Sequence, residues 1–473
     1  MKYLVCFLLC SYGALSLFAQ EQLGLRTENY SGVNGIALNP ASNLTTPFRW
    51  DVNLGAFGVF VDNNFGSFQN TSIGQLLSTR SEDIFLATDF PADQQFSNDA
   101  TVFDFAEPGK NKFFSAVTTI QGPSFLLNFD QHAIGLFTNF RAMGGGHRIP
   151  AVFGYYDYQS ILPNNDYDVF PTIASGMAWG EIGINYLFKK EVASGQIGLG
   201  ISAKYLQGYE SFFIKNDSDL DITKMNRDVL TFNGGAIVRF GFTHSSLDEE
   251  TVNLQQNGTG FGLDLGITYA SEGYLDGYGI KLGAAILDMG RIRFEQNTES
   301  HRVNINEVFT FDPRNLSDVT DFRDGLSQLN EELFGNANTT FLGTSYTMGL
   351  PTTFSLQADL AIQESFFVNA TLLQRLAIPD LLVERGNLLA VTPRFEHRWV
   401  SAFLPVSVYN WKHLKVGAAL RVAFFVIGTE DLGSFVGQGN LTGTDFYAGI
   451  KINPFRVGNG GNRRSKAVKC YEF

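Results

Sequence analysis

The sequence has very little cysteine. Only three Cys residues occur among its 473, and Cys6 and Cys10 lie in the apolar stretch at the start of the chain. If that stretch is removed, Cys470 is the one cysteine left, so no intramolecular disulfide and no cysteine-based metal cluster forms. The six His residues are scattered without the spacing of a zinc site. We therefore expect no metal and no cofactor.

Charged residues are also scarce, and positive charge is the scarcer of the two. Asp, Glu, Lys and Arg make up 17% of the chain, against roughly 25% in typical soluble domains. The net charge is −13, so nucleic acid, which binds basic surfaces, is not an expected partner. The sequence lacks the Gly-x-Ser-x-Gly, His-Glu-x-x-His and Walker motifs. We therefore do not expect an enzyme and assign no catalytic residue.

Long hydrophobic runs are missing from most of the chain. After Ala19 no apolar run approaches the ~20 residues that a membrane helix needs. Residues 1–19 themselves have the features of a signal peptide, because Lys2 is followed by the mostly apolar stretch Tyr3–Phe18 and a small residue precedes Gln20. We expect cleavage before Gln20, which leaves an exported chain without membrane helices.

Aromatic residues and glycine are abundant, and they follow a two-residue alternation. Aromatic residues make up 14% of the chain, with 44 Phe, and Gly occurs 49 times. From Phe261 to Tyr269, large apolar residues alternate with Gly, Asp and Thr. From Leu414 to Val426 they alternate with His413, Lys415, Gly417 and Arg421. This period predicts β-strands, and it recurs in Ile197–Tyr205, Phe354–Ile362 and Asp445–Ile452.

Strand length and the polar faces favour a membrane barrel over a soluble sandwich. Several predicted strands match the ~9–11 residues that cross a bilayer at a tilt, whereas soluble strands average ~5–6. The polar faces mix small residues with isolated charges, as the lumen side of a barrel does. We predict an all-β, transmembrane antiparallel β-barrel of about 14 strands at residues 50–453, located in the cell outer membrane and surrounded by outer-membrane lipid. The predicted strands are Trp50–Val61, Phe113–Phe129, Ala133–Met143, Met177–Phe188, Gln196–Tyr209, Val229–Phe242, Gly260–Ala270, Gly279–Phe294, Thr352–Ile362, Phe366–Leu376, Leu389–Trp399, Ser401–Tyr409, Lys412–Phe425 and Thr442–Asn453.

The connections between these strands fit a barrel only in part. With both chain ends on the inner side, Gly66–Lys112, Gly144–Gly176 and Ile427–Leu441 are outer loops, but the long segment Glu295–Pro351 falls on the inner side. Either a strand such as His301–Val308 is missing from the prediction or the segment folds inward. The same segment contains a predicted helix that either packs on the barrel or gates it, with an apolar stripe of Val319, Phe322, Leu326, Leu329 and Leu333.

The composition changes again after Asn453. Residues 454–473 form a basic tail rich in Gly and Asn, and the chain ends in Tyr471-Glu472-Phe473. A terminal Phe resembles the signal that barrel-assembly machinery reads, so we expect that machinery as a partner during biogenesis. The tail itself is either a contact arm on the inner side or one more short strand.

Three segments carry a family resemblance. Gly35–Ala41 precedes the first strand, and together with Gly262–Tyr269 and Lys281–Gly290 it resembles the long-chain fatty-acid transporter (FadL/TodX-like) superfamily of outer-membrane β-barrels and its PorV-like relatives. The chain is similar to a lineage of that superfamily with no assigned ligand. The resemblance implies that residues 20–49 fold into the lumen as an N-terminal plug segment. Its plug motif would be Asn39, Pro40 and Ala41, of which we expect Asn39 and Pro40 to form a turn rather than contact a substrate.

Three functions follow from this sequence as hypotheses. The first is uptake or binding of a small hydrophobic molecule by a plugged barrel. The alternative is a non-transporting barrel that docks on a subunit of a secretion or surface-assembly complex, with outer-loop residues such as Tyr155, Tyr156 and Tyr158 as its contact surface. The third is an enzyme at the barrel mouth. An occluded apolar cavity favours the first, a filled lumen with an apolar loop patch the second, and convergent polar side chains at one rim the third.

Overall fold

The structure is a computed structural model that describes residues 21–454. Within that range, 80–83, 88–100, 106–110, 150–164, 226–228, 245–254, 274–276, 306–307, 313–321, 377–382, 384 and 437–439 are not described. The predicted signal peptide, nearly all of the basic tail, Val319 and the three loop tyrosines (Tyr155, Tyr156 and Tyr158) lie outside the described residues.

Strands dominate the described residues. They are, in chain order, β1 (Trp50–Asn63), β2 (Gly66–Phe68), β3 (Ile84–Leu86), β4 (Thr101–Phe105), β5 (Lys112–Gln121), β6 (Ser124–Asn128), β7 (His132–Ile149), β8 (Asn165–Val169), β9 (Thr172–Val192), β10 (Gly195–Asn216), β11 (Leu220–Lys224), β12 (Leu230–Phe232), β13 (Ala236–Thr243), β14 (Gly258–Glu272), β15 (Tyr278–Phe294), β16 (Thr298–Ile305), β17 (Phe309–Phe311), β18 (Phe341–Gly343), β19 (Tyr346–Gly349), β20 (Thr353–Gln363), β21 (Phe366–Arg375), β22 (Leu388–Glu396), β23 (Val400–Phe403), β24 (Val406–Tyr409), β25 (His413–Val416), β26 (Ala418–Val422), β27 (Phe425–Thr429) and β28 (Gly443–Ile452). The α-helices are α1 (Leu23–Arg26), α2 (Ile73–Ser78), α3 (Phe322–Phe334) and α4 (Gly433–Val436), and 3-10 helices cover Gly32–Ala37 and Ser42–Thr45. None of the described helices is long and apolar enough to cross a membrane.

The barrel wall is one antiparallel sheet that closes on itself through 14 strand positions. The last strand, β28, pairs with β1 from Val52 opposite Ile452 to Asp62 opposite Gly443. Closure removes the sheet edges, so the backbone N–H and C=O groups of the wall are paired without water. The predicted fold class is therefore confirmed. The positions are β1, β5 with β6, β7, β9, β10, β14, β15, β20, β21, β22, β23 with β24, β25 with β26, β27 and β28.

Alternate residues of each wall strand face opposite environments. On β9, the side chains of Ile182, Ile184 and Tyr186 are exposed on the outside of the barrel, whereas Glu181 and Asn185, which alternate with them, are buried inside. Large exposed apolar side chains occur around the whole wall, and an apolar outer face with a polar inner face is what lipid on one side requires. Aromatic side chains also mark the inner end of the wall, as membrane interfaces favour, with Trp50, Phe129, Phe366 and Trp399 exposed there. The protein is thus an outer-membrane β-barrel.

Two predicted strands were wrong, and their errors cancel in the strand count. Val229–Phe242 is not a wall strand. Within the wall, β10 pairs with β14 up to Gly208 opposite Gly258. The strand β13 pairs with β10 only farther out, at Phe212–Asn216. Lys412–Phe425 is not one strand, because the chain reverses at Ala423, whose φ is 53°, and then forms β27.

This correction also resolves the position of the long segment 295–351. With β13 outside the wall and β27 in it, every long connection lies at one end of the barrel, and short turns join the strands at the other end. Segment 295–351 is therefore an outer loop. The strand suggested at His301–Val308 exists as β16 and pairs with β13 rather than with the wall.

Part of the outer loops forms a cap on the barrel. The sheet of β8, β11, β12 and β17 packs against β13 and β16 around Val169, Leu220, Ile222 and Val303. Helix α3 contributes Phe334 to this cluster, but Phe334 is not part of the predicted apolar stripe, so packing and gating both remain predictions for that stripe. The predicted strand Phe113–Phe129 is two strands in the structure, β5 and β6, which are broken at Gly122-Pro123 and share one position in the wall.

The loop assignment predicts which side of the membrane reaches residue 338. In a Cys470→Ser background, we expect Asn338→Cys to react with a membrane-impermeant maleimide on intact cells, because Asn338 is exposed at the outer end. Glu364→Cys, in the short turn between β20 and β21, should react only after the outer membrane is permeabilised. The opposite labelling pattern would contradict the assignment.

Candidate functional site

The N-terminal segment, residues 21–49, lies inside the barrel. Its regular structure is limited to short helical turns, and most of its residues are buried. Its contacts come from opposite parts of the wall. Asn29 N–H donates to Glu396 of β22 at 3.2 Å, Ser355 of β20 donates to the Leu38 carbonyl at 2.9 Å, and Asn185 of β9 donates to the Pro40 carbonyl at 3.1 Å.

The motif Asn39-Pro40-Ala41 lies in a slot made of glycines. Gly200, Gly266 and Gly283 stand on the neighbouring strands β10, β14 and β15 and face the lumen at this point. A Cβ at Gly200 would clash with the backbone of Pro40, and a Cβ at Gly266 would clash with the Asn39 side chain. Glycine at these positions is what lets the segment lie directly on the wall.

Hydrogen bonds fix the motif in that slot. The Asn39 side-chain amide donates to the Ile267 carbonyl at 3.2 Å and to Gln357 Oε1 at 3.0 Å. Its Oδ1 accepts the backbone N–H of Ala41 at 2.8 Å, which is an Asx-type turn. The turn is the role expected from the sequence, and the contacts to the wall are additional. The contacts of Asn39, Pro40 and Ala41 fix their position in the lumen. Their role as a plug motif is a proposal.

Near the inner end, one carboxylate of the segment is held by two cations of the wall. Glu28 Oε1 accepts from Lys451 Nζ at 2.7 Å, and Oε2 accepts from Arg421 Nε at 2.8 Å and from Ser401 Oγ at 3.1 Å. Burial opposes ionisation of Glu28, but Lys451 and Arg421 outweigh it and hold the pKa of the carboxyl below its ordinary value. Glu28 is therefore a charged anchor between the segment and strands β26 and β28.

A second anchor lies on the side of β20 and β22. The Arg394 guanidinium donates to both oxygens of Asp359, at 2.9 and 2.7 Å, and also to Glu396. Glu396 accepts the Asn29 N–H, and Lys281 Nζ donates to the Asn29 side chain at 3.1 Å. Residue 29 is thus bound to a charge network of the wall in which Arg394, Asp359 and Glu396 are buried.

Toward the outer end, the lumen contains a layer of paired charges around Asp288. Its Oδ1 accepts from Arg141 at 2.9 Å and from Lys204 at 2.7 Å. Arg141 also pairs with Glu181 at 3.0 Å, and Lys204 pairs with Asp264 at 2.8 Å. Asp288 sits at a β-bulge of β15 with φ 56°, a left-handed conformation that Asp tolerates and that turns its side chain into the lumen.

The start of the segment reaches this layer. Glu21 accepts two hydrogen bonds from the Arg385 guanidinium, at 3.0 and 2.6 Å, and lies 3.5 Å from Arg26. A cavity of about 50 Å³ lies between the segment and the wall here, and charged side chains make up much of its lining. We refer to Arg141, Glu181, Lys204, Asp264 and Asp288 as the charged layer.

Directly above the charged layer lies an apolar layer. On three strands an apolar lumen residue stands two positions outward from a charged one. These pairs are Met143 over Arg141, Trp179 over Glu181, and Leu206 over Lys204. The apolar layer is one buried cluster of Phe60, Val117, Met143, Met177, Trp179, Leu206, Phe213, Ile292, Phe294, Tyr346, Met348, Leu350, Val383 and Tyr409.

The sequence patterns contain part of this site. The isolated charges on the predicted polar faces, among them Lys204, Asp264 and Arg421, do face the lumen. Their partners were not predicted, because the pairs join strands distant in the chain. Asp288 lies in one of the three segments that carry the family resemblance, and the glycine-rich alternation of β10, β14 and β15 was the available signal for the slot.

Comparisons with known proteins give one family and several distant structural likenesses. The Pseudomonas putida toluene transporter TodX is 10% identical with a TM-score of 0.40 over 92% of this chain and 94% of its own. A Pseudomonas aeruginosa FadL homologue is 10% identical with a TM-score of 0.29 over 93% and 100%. The translocator domain of the Neisseria meningitidis autotransporter NalP is 8% identical with a TM-score of 0.33 over 93% and 100%.

Among proteins of curated function, no significant match to the sequence is found. A family described as "Family of unknown function (DUF5723)" matches residues 40–430. That range covers most of the chain, from the Pro40 of the glycine slot to Glu430 beside β27. The protein therefore belongs to the DUF5723 family.

Proposed function

We propose that this outer-membrane barrel takes up or binds a small hydrophobic molecule and that residues 21–49 act as its plug. The observation that carries the proposal is the apolar layer. The lumen of a water-filled barrel is polar, whereas the outer half of this lumen is filled by aromatic, aliphatic and methionine side chains. A hydrophobic molecule can replace such contacts with its own at little cost.

The composition of the layer suits an adaptable site. Met143, Met177 and Met348 belong to it, and methionine is unbranched and polarisable, so it repacks around ligands of different shape. Rings such as Phe60 and Tyr409, whose centroids lie 4.7 Å apart, supply flat apolar surfaces. The layer is closed in this structure, so binding requires its side chains to part.

The segment below the layer supports the plug proposal. It fills the inner half of the lumen and contacts wall strands on opposite sides. Passage to the inner side would require displacing it, which breaks the buried ion pairs of Glu28 and Glu21. Breaking one buried pair costs about 3–5 kcal/mol when one charge stays buried without a partner. Under this proposal, the arrangement of the segment described above is the closed state of the barrel.

Docking on a secretion or surface-assembly complex is the second candidate. The observation in its favour is that the lumen is filled and that the cavity beside the segment is small and lined by charged as well as apolar side chains. Exposed apolar residues on the outer loops, such as Phe170, Val308 and Leu342, are available as contacts. Such a barrel would retain no ligand.

Ligand retention separates the two functions. We expect native mass spectrometry of the purified, detergent-folded protein to show a stoichiometric hydrophobic molecule that solvent extraction identifies. Met348→Gln should lower its occupancy severalfold, because a buried amide without a hydrogen-bond partner disfavours an apolar neighbour. Met225→Gln, in the outer loop, is the control and should leave occupancy unchanged. A ligand-free wild-type barrel would refute retention and favour docking.

The glycine slot predicts how firmly the plug is held. Gly266→Ala places a methyl group against Asn39, so the segment should lose about 1–3 kcal/mol of packing. The measurable result is faster trypsin cleavage after Arg26 or Arg49 in the folded protein. Gly343→Ala is the matched control, since a Cβ there meets no atom within 4 Å. Equal cleavage rates in both variants would show that the slot does not hold the segment.

A further inference from the structure

Basic side chains gather around one aromatic ring at the outer mouth of the lumen. The ring of Phe113 is stacked on His147 at 6.0 Å between centroids and meets His413 edge-on at 5.5 Å. Lys412 Nζ lies 5.5 Å from the centre of the same ring. These residues come from β5, β7, the start of β25 and the turn before it, so the cluster spans separate strands.

Two arginines extend the cluster. Arg148 and Arg375 act electrostatically on His147, as Lys412 does, and Arg148 and Arg375 also act on each other. We call the five residues His147, Arg148, Arg375, Lys412 and His413 the basic mouth. Arg148, Arg375 and Lys412 carry permanent positive charge and like charges repel one another, so an anion that enters from outside is attracted to this opening.

Two acids near the mouth pair with cations other than Arg148 and Lys412. Asp62 lies 3.0 Å from His413 and 3.6 Å from Lys415, and Asp431 lies 3.0 Å from Lys415. Within the described part of the chain, no ion pair is found for Arg148 or Lys412, and both side chains are exposed. They are therefore accessible to a solute that enters from outside.

The mouth lies directly over the apolar layer. Phe113 and Val117 alternate on the lumen face of β5, and Val117 belongs to the layer. Tyr409, also in the layer, donates a hydrogen bond to Ser115 between them at 2.9 Å. A molecule with an anionic end and an apolar body would contact both regions at once.

We propose that the ligand of this barrel is a phosphate-bearing amphiphile, with its phosphate on Arg148 and Lys412 and its apolar part in the apolar layer. The inference rests on the uptake or binding function proposed above and names its substrate class. A phosphate monoester carries about −1.5 to −2 charges near neutral pH and three acceptor oxygens. It can therefore engage several cations of the mouth together, whereas a carboxylate brings one charge.

The test compares three eight-carbon probes that differ in the head group. Octyl phosphate, octanoate and octanol are titrated into the detergent-folded full chain at low salt, and the Kd of each is measured. We expect octyl phosphate to bind about tenfold more tightly than octanoate, and we expect octanol to bind most weakly of the three. Hydrogen bonds to charged groups are stronger than those between neutral groups. Its affinity should fall as salt is added, because salt screens exposed charges.

Variants separate the head-group contact from the apolar contact. Arg148→Gln and Lys412→Gln should each weaken octyl phosphate about tenfold and leave octanol unchanged. Lys190→Gln, an exposed lysine at the inner end of β9, is the matched control and should change neither. Inorganic phosphate should compete only at far higher concentration than octyl phosphate, because it lacks the apolar part.

Three other results of these experiments would each overturn a specific claim. Equal affinities for the three probes, or variants without effect, would refute the phosphate inference and leave the proposed function standing. Competition by inorganic phosphate at the same concentration as octyl phosphate would show a site for free phosphate and refute the amphiphile. Failure of all three probes to bind would overturn the proposed function itself.

Discussion

The absence of water in the lipid core is the constraint on which the rest of this structure depends. Every backbone N–H and C=O in that environment must be paired within the protein, and the pairing of β28 with β1 meets this requirement by closing the sheet. A closed sheet of alternating side chains has an apolar outside, exemplified by Ile182 and Ile184, and an interior that contains polar side chains such as Glu181 and Asn185. The interior then has to be filled or opened to water.

In this protein the interior is filled, and ion pairs determine where the N-terminal segment lies in it. Glu28 of the N-terminal segment meets Arg421 and Lys451 of the wall, and Glu21 meets Arg385 of the connection between β21 and β22. Buried ion pairs add little net stability, because desolvation offsets their attraction, but removing one partner is costly. They specify where the segment lies rather than how tightly the barrel folds. The glycine slot adds shape to this charge pattern, and the apolar layer closes the lumen above it.

The sequence predicts the two-residue alternation of the strands better than it predicts which strands pair with one another. Alternation identified most wall strands, since it follows directly from the two faces of a strand. It could not exclude Val229–Phe242, which alternates in the same way but rises into the outer cap. It also merged β26 with β27, because the turn at Ala423 has no Gly or Pro and the left-handed conformation there is invisible in sequence. Either error alone would have changed the strand count.

The site was predicted less completely than the fold, for a related reason. The lumen charges Lys204 and Asp264 were visible as isolated charges on polar faces, but alternation does not reveal which strands meet across a lumen. The bulge that turns Asp288 inward depends on register rather than composition. Asn39 and Pro40 were recognised by resemblance, whereas the glycines that receive them became meaningful only once β10, β14 and β15 were seen side by side.

The central claim is that residues 21–49 form part of the barrel interior, and hydrogen exchange measured by mass spectrometry on the folded protein tests it most directly. The backbone amides of Val33 and Leu44 donate to Asp51 and to the Ala41 carbonyl within buried surroundings. They should exchange as slowly as those of the wall strands and far more slowly than those of the exposed turn at Asn336–Thr339. Exchange of the segment as fast as that turn would contradict the account.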